Sequence, residues 1–154
     1  MTFSDRAIAS SNAQDTDEVW LMLFTLDHAD LADPIRVVSN NEDIVSNGHT
    51  FIALGFELTL PGQDPDSPSS ATVSLDNVDP VIVNTLRTIS SPPTATIQVI
   101  LASQPDVIEI EFTGLKLRNA QWDASKVSGD LVYEDVLTEP VATTMTPQRF
   151  PGLF

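Results

Sequence analysis

Residues 19–26, Val-Trp-Leu-Met-Leu-Phe-Thr-Leu, form an apolar run that is almost unbroken. A short run of this kind, rich in aromatic side chains, reads as a strand buried on both faces. That one element restricts the fold more than any other, because the chain must supply a covering layer on each side of it.

The rest of the chain reads as strands and turns. Residues 35–39 return as a strand after the Asp-rich loop 27–34. Asn47-Gly48 supplies two adjacent residues that tolerate positive φ, as a two-residue hairpin demands, and would join residues 44–45 to residues 50–54. Phe56, Leu58 and Leu60 alternate with polar neighbours, and so do Ala71, Val73 and Leu75. Four strands are expected at 95–102, 107–113, 115–123 and 126–134. Their links would be residues 103–106, Gly114 and residues 124–125. Ile108 and Ile110 alternate with Glu109 and Glu111 in the second of these. Asp79 as N-cap and Pro80 at the first helical position open a helix that Pro92-Pro93 ends. Ser4 can cap a short helix near the N-terminus, and the weak apolar face there predicts a loosely packed arm. The expected fold is mainly β: an antiparallel β-sandwich or partly open barrel with one crossing α-helix and an N-terminal helical arm. The expected organisation is an arm or short helix over 1–17, a β domain over 18–140 and a C-terminal docking arm over 141–154.

Composition narrows the function. The formal net charge of −15 disfavours binding to phosphate backbones and to anionic membrane surfaces, so neither a specific nucleic acid nor a membrane anchor is expected. No run approaches the length of a membrane span, and the first residues lack a basic start and apolar centre, which points to a protein made in the cytoplasm. The absence of cysteine excludes disulfides, thiolate metal sites and Cys nucleophiles.

Residue chemistry gives little foothold for catalysis. His28 and His49 are far apart, the serines sit in turns, and no Gly-x-Ser-x-Gly elbow exists. A Ser-His-Asp nucleophile would need one of the histidines beside a presented serine. Asp27, Asp30 and Asp33 in one loop, and Asp64 and Asp66 in another, lack the EF-hand glycine and closing glutamate and read as solvated turns. Trp20 and Trp122 lie in strand runs, where core packing accounts for them. No enzyme activity, cofactor or metal is expected.

Two segments read as contact sites. Arg149, Phe150, Pro151, Gly152, Leu153 and Phe154 form a stretch that is apolar after its arginine, Pro/Gly-broken and unlike the acidic remainder. Such a segment docks on its own domain or inserts into a partner. The loop 61–70, with Pro61, Gln63, Asp64 and Asp66, is the second, since long loops are uncommon in compact domains unless used.

Taken in order, several motifs resemble a known family. They are Val19-Trp20-Leu21-Met22-Leu23, Asn47-Gly48-His49-Thr50-Phe51, Phe56-Glu57-Leu58, Ala71-Thr72-Val73-Ser74-Leu75-Asp76-Asn77 and the closing Phe150-Pro151-Gly152. The chain resembles bacteriophage tail-tip proteins, in particular the N-terminal part of the lambda-like minor tail protein L. It is also similar to a family of short phage proteins known only as a domain of unknown function. Lambda-like L proteins continue into a cysteine-rich, cluster-binding region, which has no counterpart in this cysteine-free sequence.

The resemblance implies a virion structural protein of a long non-contractile tail. It would form a homo-oligomeric ring, assembled in the bacterial host cytoplasm, with distal tail, hub and fibre proteins as neighbours. A trimer is expected by analogy with tail hubs, with a hexamer as the alternative. The competing expectation is a host-surface carbohydrate-binding or hydrolytic β domain, which would need an exposed aromatic cleft.

Overall fold

The computed structural model describes residues 3–59, 70–76, 83–84, 87–123 and 126–133. Its elements are α1 (Asp5–Asn12), β1 (Trp20–Asp27), β2 (Ile35–Val38), β3 (Ile44–Ser46), β4 (His49–Ala53), β5 (Phe56–Thr59), β6 (Ser70–Asp76), β7 (Thr94–Leu101), β8 (Gln104–Trp122) and β9 (Lys126–Tyr133). The fold is mainly β. The strands form one sheet in the order β3-β4-β2-β1-β7-β8-β9-β6-β5. Every pairing is antiparallel except β2 with β4, where Val37 lies beside Ile52 and Val38 beside Ala53.

β1 is covered on both faces, as its apolar run requires. Leu21 and Leu23 pack with Val38, Phe51 and Ile100. Phe24 and Leu26 pack with Phe56, Val73, Ile97, Leu117 and Leu131. Adjacent strands in a sheet lie about 4.8 Å apart, so β1 and β5, five places apart, would be roughly 24 Å apart in a flat sheet. Instead the Phe24 and Phe56 rings approach to 6.1 Å between centroids. β3 and β8 are also five places apart, yet Ser46 Oγ donates to the Pro105 carbonyl at 2.6 Å. The sheet therefore curls over opposite faces of β1 at its two ends and holds one apolar cluster in each curl. It is not closed into a barrel.

Asn47 and Gly48 both have positive φ, +48° and +79°, the signature of the tight hairpin turn that joins β3 to β4. Val83, Asn84, Arg87 and Thr88 are helical, and Val83 belongs to the larger core cluster. Asp79 and Pro80, expected to open that helix, lie outside the described residues.

The strands expected over 107–123 are corrected by the structure. Residues 107–113 and 115–123 are not two strands linked at Gly114. They form a single strand, β8, of 19 residues. Gly114 (φ +74°) sits where Ala95↔Leu115 gives way to Ile97↔Phe112, so two residues of β8 face one of β7. That is a β-bulge with a left-handed residue, which bends the strand without reversing it. Asn119 (φ +52°) marks a second bulge, against β9 between Arg118↔Asp130 and Gln121↔Ser128. A third falls at Glu109, between Ile108↔Ile100 and Ile110↔Val99. The turn into β8 is also tighter than expected, since Gln104, Pro105 and Asp106 already belong to the strand.

Candidate functional site

The segments expected to make contacts, Arg149 to Phe154 and Pro61, Gln63, Asp64 and Asp66, lie outside the described residues. Their points of departure do not. β5 and β6 pair through Thr59↔Thr72, so residues 60–69 connect them at that end. Ser70, where β6 begins, lies opposite Val132, one residue before β9 ends at Tyr133. The connection 60–69 and the segment that follows Tyr133 therefore leave the sheet side by side.

The histidine question has a definite geometry. His28 Nε2 lies 2.6 Å from Ser91 Oγ, and Nδ1 lies 3.5 Å from a carboxylate oxygen of Asp30. A serine, a histidine and an aspartate thus meet, a constellation that no spacing along the chain reveals. Its hydrogen bonds run the wrong way for nucleophilic chemistry. The Asp30 backbone N–H donates to Nδ1 at 3.0 Å, which fits the tautomer with its lone pair on Nδ1. Nε2 then holds the proton and donates to Ser91, whereas a general base needs a free Nε2 and a protonated Nδ1. Ser91 is followed by Pro92 and Pro93, which have no N–H for an oxyanion. A neighbouring hollow of about 350 Å³ is lined by Ile89, Pro92, Pro93, Leu117 and Arg118, with no aromatic side chain among its lining residues. His49 lies apart, exposed in β4. Among the described residues no three His, Asp or Glu side chains come together as a metal site would require.

The N-terminal helix is fastened rather than loose. Ser4 Oγ accepts from Ala7 N–H at 3.1 Å as the N-cap, and Ala7 and Ser10 are buried. The Ser4 N–H donates at 2.8 Å to Glu109, whose side chain is 2% exposed, and the Ser4 hydroxyl donates to the other carboxylate oxygen. The alternation of Ile108 to Glu111 predicts the reverse, isoleucines in and glutamates out. The bulge at Glu109 shifts the period by one and turns this carboxylate inward, while Ile108 becomes exposed. Arg6 pairs with Glu18, which also accepts from Ser103 Oγ at 2.7 Å. The Ser103 hydroxyl, and after it the Arg6 guanidinium, hold the Glu18 carboxyl below its ordinary value. Trp20 is not a core residue. It is partly exposed, its Nε1 donates to Ser10 Oγ at 3.3 Å, and it lines a hollow with Phe3, Ile8 and Ile110. The side chain of Trp122 lies outside what the structure describes.

The length of β8 leaves one further feature. β7 pairs along one side of it from Gln104 to Lys116, but β9 covers the other side only from Leu115 to Trp122. Between Val107 and Gly114 that second side has no partner strand among the described residues. Val107, Ile108 and Phe112, which sit on this stretch, are 41%, 37% and 36% exposed.

Two comparisons bear on identity. A family model described as a domain of unknown function, DUF1833, matches residues 6–146. No curated protein matches the chain.

Proposed function

We propose that this chain, which belongs to the DUF1833 family, is a structural component of a phage tail tip. In this reading it assembles as a homo-oligomeric ring that links the tail tube to the central hub and fibre. Its partners are other copies of itself and neighbouring tail-tip proteins, and its place is the virion. The observation that carries the reading is the shared exit of the two contact segments beside Ser70 and Val132. The loop 61–70 and the chain that leads on to Phe150, Pro151, Leu153 and Phe154 would then depart from one end of the domain, where a ring neighbour could be met. The prolines after Ser91, which offer no N–H to an oxyanion, support a non-enzymatic role.

The test is the native mass of the full-length protein beside a version lacking residues 147–154. A trimer, or a hexamer, that falls to a folded monomer on truncation is the expected result. A truncated protein that unfolds would assign the tail to the domain's own core and overturn the docking arm.

A further inference from the structure

We propose that the open side of β8 between Val107 and Gly114 is the seat of an extended strand donated by a second copy of this chain, its residues 141–146. The proposal rests on the assembly reading above and names the surface that receives the arm.

The edge itself calls for an occupant. A strand with a free row of N–H and C=O groups is a template for pairing, and soluble proteins shield such edges with charge, proline or a covering element. Here the exposed side chains beside the free row include Val107, Ile108 and Phe112. The Glu109 bulge does not blunt the edge by turning a charge outward. It buries the carboxylate against Ser4 and leaves Ile108 exposed in its place.

The choice of occupant follows from where the remaining chain starts and how it is composed. β9 ends with Tyr133 opposite Leu115, at the first residues of the open stretch. The residues that come next, Glu134, Asp135 and Glu139, are acidic. Continued in register past Tyr133↔Leu115, this segment would set Glu139 opposite Glu109, and like charges directly opposed across strands are unfavourable. The first uncharged stretch longer than three residues with strand-forming side chains is Val141-Ala142-Thr143-Thr144-Met145-Thr146, bracketed by Pro140 and Pro147. Six extended residues span roughly 20 Å, close to the length of the open edge. The family match runs through Thr146, so this stretch falls within it.

The cysteine-free sequence makes the pairing directly testable by disulfide trapping. Glu111→Cys is placed in one tagged chain and Thr143→Cys or Thr144→Cys in a second, differently tagged chain. Successive strand residues point to opposite faces, so one of the two arm positions shares the face of residue 111 in any register. The chains are co-expressed, purified and oxidised. The expected product is a mixed covalent dimer of twice 16.7 kDa, carrying both tags and absent when either variant is expressed alone. A double variant that closes only within one chain, with no mixed dimer, overturns the proposal by putting the strand on its own domain. Absence of any cross-link overturns it by leaving the edge to something else. The native-mass experiment separates the two readings. If truncation at residue 146 abolishes assembly while no cross-link forms, the arm reading stands and the β8 seat falls.

Discussion

The buried carboxylate of Glu109 takes both donors of Ser4, a residue 105 positions away, and so ties the first helix to the middle of the longest strand. The same Ser4 hydroxyl caps α1 through Ala7. Two effects that are usually separable, helix capping and burial of an acid, therefore depend on one side chain. Ser4→Ala is expected to cost about 1–2 kcal/mol in urea unfolding. Ser4→Asp makes the sharper test. Aspartate is ordinarily as good a cap as serine, but here it would set a second carboxylate beside Glu109. It should destabilise more than alanine does, and Glu109→Gln should relieve most of the difference in a double-mutant cycle.

Glu18 supplies a pH dependence with a defined sign. A carboxyl whose folded pKa is depressed stabilises the protein above its unfolded pKa and loses that contribution as pH falls through the folded value. Ser103→Ala removes the largest cause of the depression at Glu18. The variant should be less stable than the parent at about pH 7, and the gap should close below about pH 4. An unfolding series across that range reads it. A gap that widens in acid would mean Glu18 is not the group responsible.

Gly129 is required by the bulge opposite it. A Cβ at this position would lie 2.7 Å from Leu117 Cδ1 and 3.1 Å from the Arg118 carbonyl oxygen. Leu117 can turn aside, but the carbonyl belongs to the strand that bulges at Asn119, whose Nδ2 donates to Asp130 at 2.9 Å. Gly129→Ala should cost about 1–3 kcal/mol by overpacking. Gly114→Ala meets no atom within 4 Å, and its expected loss of roughly 1–2 kcal/mol comes from the left-handed backbone alone. Thermal unfolding of the two variants, measured side by side, compares the two costs.

Ser91→Ala separates a structural hydrogen bond from a nucleophile. With the Nε2 proton directed at Ser91, the substitution should lower stability by about 0.5–1.5 kcal/mol. Hydrolysis of an activated phenyl ester should not change. Ester turnover that is present in the parent and lost in the variant would restore the hydrolytic reading.

The sequence made the β character legible because its signals are local. The apolar run at β1 implied two covering layers, and Asn47-Gly48 implied its hairpin. Both hold, since each follows from side chains within a few residues of one another. The errors cluster on β8. Positive φ at Gly114 serves a bulge as well as a turn, and only the partner strand decides between them. Once Glu109 shifts the period, alternation assigns its side chain to the wrong face. The meeting of His28 with Ser91 depends on how the sheet curls, which no spacing in the chain encodes. The arm expected at Arg149 to Phe154 and the loop expected at Pro61 to Asp66 lie outside the described residues.

The pairing at the centre of the sheet also sets the order in which the protein can be made. β1 lies between β2 and β7, and Trp20 meets Leu101 while Asp27 meets Thr94. A ribosome adding about 5–20 residues per second exposes β1 for several seconds before β7 is synthesised. During that interval a strand apolar on both faces has only β2 and the β3–β4 hairpin as shelter. The ladder that joins the two curls is therefore completed late in synthesis, with high contact order and correspondingly slow closure.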